Sequence, residues 1–526
     1  MPGSGSGTTT ESALVDGLLD PGAYSPPVDK VRVIETHISW VFLAGDFAYK
    51  FKKPLDLGFL DYRDPGRRLH FCREELRLNG RLAPELYLDV AGARQTAAGW
   101  RVGPWSEGAE PAVRMRRFPD DARLDHQLEA GRLESAALEA FARELASFQH
   151  ALPPARPGAG LGDAATVARP ARANFEALPA EGLEQELADL LEALRQWTCD
   201  KAEALAPRFD ARLRAGFVRE GHGDLHLANL LWLSGRIVAF DGIEFDPALR
   251  WIDLQSEVAF LLMDLESRDR ADLGWTFYNA WLAALGDYDG LAVLPWYLVY
   301  RHLVRAKIDG IRRAQAGIPP EEDSRLQRRQ ADHIRLAHAR AFPGKPLLIL
   351  MHGYSGSGKS RLAARLAPRL QAPWVRSDIE RKRLHGIDPA TAAPAPVGTG
   401  LYDERSSMRT YRRLAEVSGL AADAGIDLIV DAAFLEAGRR EEFVRLALDH
   451  GARPVVLSCE APPDVLRRRV SARADDPSDA GLAVLEAQLD KPVEVRAEEA
   501  PYRLRVDTRD EPDIEALLSA LAAVRN

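Results

Sequence analysis

Apolar and polar positions alternate with a period of two in the runs VRVIETHISWVFLA and FAYKFKKP, and Gly45-Asp46 between them supplies a hairpin turn. The pattern predicts two antiparallel strands over Val31–Lys53. A helical period follows from about Pro65 to Leu82, a turn falls at Ala83-Pro84, and residues 86–118 return to strand-like alternation ending in AVRMRRF. From Leu124 to about Leu213 the period is helical again, interrupted by a Pro/Gly/Ala-rich stretch at 153–170 that reads as a loop. After HGDLHLANLL, the run IVAFDGIEFD predicts a short hairpin, and helices continue to about Ala341.

Pro343-Gly344-Lys345-Pro346 marks a break. Beyond it LLILM, SRLAARLAPRL, WVRSD, a long helix near 404–424, LIVDAAF, PVVLSC and YRLRVD alternate strand with helix, the order of a parallel α/β sheet. The expected fold class is therefore α/β and α+β multidomain. Its expected parts are a flexible lead-in at 1–28, two lobes of one unit at 29–118 and 119–341, and a parallel-sheet domain at 342–526.

Composition narrows the function. The 526 residues carry a net charge of −9, which argues against a partner made of nucleic-acid backbone and leaves room for a local basic cleft. Cys72, Cys199 and Cys459 are far apart and in no metal-like spacing, so reduced thiols in a cytoplasmic protein are expected. MPGSGSGTTT has neither the basic nor the apolar region of a secretory signal, and no apolar run approaches the roughly 20 residues that span a bilayer. Lysine is scarce, 10 against 59 arginines, yet Lys50, Lys52 and Lys53 are clustered and another falls at Lys359. A compact ammonium is what a phosphate cradle uses as a point charge.

Gly353-Tyr354-Ser355-Gly356-Ser357-Gly358-Lys359-Ser360 follows LLILM and opens a helix, matching the Walker A pattern G-x-x-x-x-G-K-[ST] in its required context. The backbone of Gly353, Ser355, Gly356, Ser357 and Gly358 would turn N–H groups toward phosphate oxygens, Lys359 would reach the β/γ-phosphates, and the Ser360 hydroxyl would hold Mg²⁺. Asp431 ends an apolar strand and is a second candidate for Mg²⁺, with a helix N-cap as the alternative. Asp378 is the candidate base for an attacking hydroxyl, and Arg381, one turn along, the candidate for an anionic substrate. Arg467, Arg468, Arg469 and Arg473 share one predicted helix from which one or two arginines would close over the transferring group.

In His222-Gly223-Asp224-Leu225-His226-Leu227-Ala228-Asn229 an Asp precedes an Asn by five residues, the interval of the kinase loop H-R-D-x-x-x-x-N. A carboxylate there orients and deprotonates an acceptor hydroxyl while an amide oxygen holds Mg²⁺. Asp241, twelve residues on, is the candidate carboxylate ligand. Such a site also needs a strand lysine and a helix glutamate. Lys50 and Lys52 share one strand face, with Lys50 preferred, and Glu75 is preferred over Glu74. Arg114–Phe118 occupies the place of a hinge, so the backbones of Met115 and Arg116 are expected to meet adenine.

Residues 345–526 resemble the small P-loop kinases that include gluconate kinase, chloramphenicol phosphotransferase and zeta-toxin-type kinases, often labelled AAA-like ATPases. The likeness rests on GYSGSGKS, RSDIERKRL, LIVDAAFL, LRRRVSAR and Ser478–Ala480. It implies the base role for Asp378 and the lid role for Arg473 or a neighbour. Residues 30–340 resemble the aminoglycoside-phosphotransferase-like branch of the protein-kinase fold through AYKFKKP, HGDLHLANLL, FDGIEFDP and Arg250–Asp253, but lack G-x-G-x-x-G on the first hairpin. The whole chain is similar to fused bifunctional aminoglycoside phosphotransferase/ATP-binding proteins.

These readings converge on a two-site kinase that uses ATP and Mg²⁺ on hydroxyl groups of small, sugar-like metabolites. Two alternatives are a C-terminal nucleotide switch that regulates the N-terminal kinase, and an N-terminal kinase acting on protein. The sequence leaves ATP against GTP, and the oligomeric state, open.

Overall fold

In the computed structural model, which describes all residues except 1–6, 59, 179–182, 316, 390, 392–400, 402, 473–480, 491–492, 495 and 526, the chain divides into two compact units. The first comprises residues 1–134, 153–162 and 213–257; the second comprises 135–152, 163–212 and 258–526. The helices from residue 258 to 341 thus share a unit with the phosphate-loop sheet.

The first unit is built on an antiparallel sheet of six strands: β1 (Val31–Glu35), β2 (Ser39–Ala44), β3 (Phe47–Lys52), β4 (Tyr87–Thr96), β5 (Gly99–Pro104) and β6 (Glu110–Arg116), in the order β1-β2-β3-β6-β4-β5. The single strand expected over 31–44 is two. Thr36 breaks it by closing a tight turn, its hydroxyl accepting from the Ser39 N–H at 2.9 Å and donating to the Ser39 carbonyl at 3.1 Å. The helix Pro65–Asn79 starts at Asp64, whose side chain accepts from the Arg67 N–H, with Pro65 in the first turn. Arg68, Cys72, Glu75 and Asn79 recur at helical spacing and are all buried, so one face of this helix carries a carboxylate inward.

Below the sheet, β7 (Val218–Glu220) pairs with β10 (Trp251–Asp253), and β8 (Leu230–Leu233) with β9 (Arg236–Ala239). The hairpin expected in IVAFDGIEFD is displaced: IVA is the second strand of a hairpin that turns at Ser234-Gly235, both with positive φ. Asp241 then takes a left-handed conformation, φ +60°, and leaves the ladder.

The second unit holds a parallel sheet of β11 (Leu347–His352), β12 (Trp374–Arg376), β13 (Leu428–Asp431), β14 (Arg453–Glu460) and β15 (Arg503–Asp507), ordered β12-β13-β11-β14-β15. Leu347, Ile349 and Met351 on one face pack in a core with Leu362, Leu366 and Leu521 from flanking helices, and Leu348 and Leu350 on the other face are buried as well, so the strand is covered on both faces. The loop expected at 153–170 is shorter than its composition suggests. Asp163 caps a helix Ala164–Glu176 by accepting from the Thr166 N–H, and buried Ala168 and Ala171 hold that helix through Pro170. Among the described residues no helix is long and apolar enough to cross a membrane.

Candidate active sites

In the first unit, β3 sends Lys50 and Lys52 to the same buried face, where Glu75 meets both. One oxygen of Glu75 lies 2.9 Å from the Lys50 Nζ and the other 2.8 Å from the Lys52 Nζ. Lys50 also pairs with Asp241 at 2.5 Å, and Lys52 with Glu244, which accepts a further bond from the Tyr62 hydroxyl at 2.7 Å. Burial would push both ammonium groups down, but Asp241, Glu75 and Glu244 hold Lys50, and Glu244 and Glu75 hold Lys52, well above the usual lysine range. Burial likewise opposes ionisation of Glu75, and the two lysines overcome it, drawing its carboxyl down to about 2. Glu74 faces the other way, toward Arg77 and Arg250.

Asp241 is fixed through its backbone: its N–H donates to the Tyr87 hydroxyl at 3.0 Å, and the next N–H, of Gly242, to Asn79 Oδ1 at 2.7 Å. In the loop above it, the Asn229 amide nitrogen donates to both the carboxylate and the carbonyl of Asp224, at 2.8 and 3.0 Å. That leaves the Asn229 amide oxygen as its remaining polar atom. His226 Nε2 lies 3.3 Å from the Asp224 carboxylate. His222 Nδ1 accepts from the Asp224 N–H, so its proton sits on Nε2, donated to the Phe240 carbonyl at 2.8 Å. Burial holds this imidazole below the usual histidine value. Gly223 has φ +85°, and a Cβ there would stand 2.7 Å from the Leu249 carbonyl, so only glycine fits the turn.

At the expected hinge, the Arg116 backbone is engaged within the sheet unit. The Arg116 N–H is already donated to the Leu86 carbonyl at 2.8 Å, and the Met115 side chain is buried in a core with Leu43, Ala48 and Val238.

In the second unit one cavity of about 590 Å³ is lined by Ser355, Gly356, Gly358, Lys359 and Ser360 of the phosphate loop together with Asp378, Arg381 and Asp431. The parallel register explains the meeting, since Asp431 lies opposite Met351 on one side and Arg376 on the other, at the same sheet end. Gly353 has φ +144°, and a Cβ there would lie 2.6 Å from the Cys459 carbonyl. Gly358, at φ +83°, starts the helix Lys359–Leu370. The Lys359 ammonium donates to the Tyr354 carbonyl at 2.8 Å. Burial raises the Asp431 carboxyl, opposed by the Lys359 charge and a hydrogen bond with Ser360.

Several residues of this cavity gave no signal in the sequence. Gln488 accepts from the Ser355 N–H at 2.9 Å, and the Thr508 hydroxyl donates to the Ser357 carbonyl at 2.8 Å. Arg376, Tyr411 and Arg439 line the side near Arg381, with Arg439 stacked 4.4 Å from the centre of the Tyr411 ring. Of the arginines expected on one helix, Arg469 lines the cavity, Arg467 pairs outward with Glu486, and Arg473 lies outside the described residues.

Both sites offer hard oxygen donors that suit Mg²⁺: the Asn229 amide and Asp241 carboxylate in one, the Ser360 hydroxyl and Asp431 carboxylate in the other. Among the described residues no group of three or more His, Cys, Asp or Glu could hold a metal alone.

The first unit thus gathers its candidate residues beside an antiparallel sheet, and the second sets a Walker A loop at the end of a parallel sheet. The model of the AAA domain family matches residues 348–494. The chain is 31% identical over 479 residues to the uncharacterized protein Rv2004c of Mycobacterium tuberculosis, covering 91% of this chain and 93% of that one, and it belongs to the same family. An adenylyl-sulfate kinase of Aeromonas salmonicida is 36% identical over 102 residues, 19% of this chain and 47% of that protein. Among solved structures, the ethanolamine kinase of Plasmodium vivax is 11% identical, covers 60% of this chain and 83% of its own, and has a TM-score of 0.36.

Proposed function

We propose that the protein is a two-site phosphotransferase that moves the γ-phosphoryl group of ATP, with Mg²⁺, to hydroxyl groups of small metabolites. The observation that carries this reading is the cavity that gathers Lys359, Ser360, Asp431 and Asp378. The likeness of a 102-residue stretch to adenylyl-sulfate kinase supports it, since that protein's name is that of a kinase.

Mg²⁺ would supply charge neutralisation at the phosphates, and the rest falls to the chain's own residues. In the second unit the loop N–H groups and Lys359 grip the phosphates, while Asp378 takes the acceptor's proton as the new P–O bond forms and the bond to ADP breaks. Arg376, Arg381 and Arg439 favour an acceptor with negative charge besides its hydroxyl. In the first unit Asp224 is the base, Asn229 and Asp241 hold the metal, and Lys50, oriented by Glu75, meets the nucleotide phosphates.

A second reading, in which the P-loop half acts as a regulatory switch, is favoured by its sharing one compact unit with the helices from 258 to 341. Calorimetric titration with AMP-PNP and Mg²⁺ tests the common ground. Two equivalents should bind per chain, and one in either Lys359→Ala or Asp241→Ala; a single equivalent in the parent protein contradicts the two-site proposal.

A further inference from the structure

The strand that leads into Asp378 is only three residues long and lies at the edge of its sheet, paired on one side with β13 through Trp374, Val375 and Arg376. Such a strand leaves a row of backbone donors and acceptors on its outer side and is marginal without support. The support comes from a side chain far back in the sequence. Asn279, on the helix Ala271–Leu285, donates its amide N–H to the Ala372 carbonyl at 3.0 Å and accepts the Trp374 N–H on its amide oxygen at 2.7 Å. One buried amide thus satisfies one acceptor and one donor, as a neighbouring strand would.

Three further contacts tie the same strand, its following helix Ser377–Leu384 and the helix Glu404–Asp423, which carries Arg413, to residues 283–289. The Tyr288 hydroxyl donates to the Trp374 carbonyl at 3.2 Å, Arg383 donates to the Ala283 carbonyl at 2.7 Å, and Arg413 pairs with Asp289 at 2.8 Å. Gly286 has a positive φ, and a Cβ there would collide with the Arg383 guanidinium, so the approach is a close one. From Trp374 the connection continues inward, because its indole N–H donates to Asp431 Oδ2 at 3.3 Å. Asn279 lies outside the 348–494 match to the AAA family model.

We infer that Asn279 is a positioning residue of the phosphate-loop site: by fixing the Trp374 backbone it sets the indole against the Asp431 carboxylate, and so tunes the hold of that carboxylate on Mg²⁺. The inference rests on the proposed metal role of Asp431. It makes residues 271–289, which belong by sequence to the N-terminal kinase-like half, part of the C-terminal site. Outer residues that orient a metal ligand typically change metal affinity by about tenfold or more.

The test uses the full-length chain carrying Asp241→Asn, so that nucleotide binding reports on the second unit, and follows fluorescent mant-ATP as Mg²⁺ is titrated. Asn279→Ala and Trp374→Phe should each raise the half-saturating Mg²⁺ concentration by about tenfold and leave mant-ATP binding in EDTA unchanged. Trp374→Phe keeps the backbone clamp and removes only the indole donor, so it holds the inference to account even where Asn279→Ala unfolds. Unaltered Mg²⁺ dependence in Trp374→Phe, or in a folded Asn279→Ala, overturns the inference and leaves the clamp a matter of stability alone. Lys359→Ala reports separately on the underlying reading: mant-ATP binding retained in that variant overturns the phosphate-loop assignment itself.

Discussion

Lys50 and Asp241 form an ion pair at 2.5 Å, with Glu75 at 2.9 Å on the lysine's other flank. The neighbouring pair of Lys52 and Glu244 has the same chemistry but a different setting. The Asp241 side chain is 43% exposed, whereas those of Lys52, Glu75 and Glu244 are almost wholly buried. The carboxylate of the first pair faces solvent, whereas both partners of the second are shut away from it.

Substitution should separate the two lysines. Lys50→Met should lower transfer at the first site by about 100-fold or more and cost less stability than Lys52→Met, because Asp241 can turn to water and buried Glu75 keeps Lys52 as its cation. Lys52→Met leaves Glu244 buried without its cation and should cost about 3–5 kcal/mol. Urea denaturation beside a rate assay checks both; equal stability losses would contradict the division of roles.

A glycine pair tests the phosphate loop. Gly353→Ala forces a Cβ against the Cys459 carbonyl and a strained φ, and should abolish mant-ATP binding in the second unit. Gly438→Ala, where an added Cβ meets nothing within 4 Å in the first turn of its helix, should leave binding intact and stability within about 0.5 kcal/mol. Intact nucleotide binding in Gly353→Ala would speak against the loop's assigned role.

Much of this was legible locally. The Walker A run, the alternation of strands and helices after residue 345, and the Asp224 to Asn229 interval each depend on neighbours in sequence, and the structure brings each group together. What escaped depends on distant partners or on a single side chain. Thr36 splits the first strand through its own hydroxyl, and Asp241 leaves its strand with a left-handed backbone held by Tyr87. The Lys52, Glu244 and Tyr62 cluster joins residues nearly 200 positions apart, and Asn279 meets Trp374 across 95, distances at which periodicity carries no information.

Stability should depend on pH through His352. Burial first, then Arg440, Arg503 and Lys359, draws its imidazole down to about 3. The unfolded chain takes up that proton near 6.5, so between pH 6.5 and 3 unfolding is favoured as pH falls. From pH 7 to 5.5 this group should cost about 1 kcal/mol, and His352→Asn should remove that part of the slope. Urea midpoints for both proteins at the two pH values measure it; parallel slopes would refute the assignment.

The most direct measurement feeds γ-labelled ATP and a small-molecule extract to the intact chain, to Asp224→Ala and to Lys359→Ala, and resolves the labelled products. Two classes of phosphorylated small molecule are predicted, one vanishing in each variant. No labelled small molecule from the intact chain, or Lys359→Ala retaining every product, would contradict the account of two phosphoryl-transfer sites.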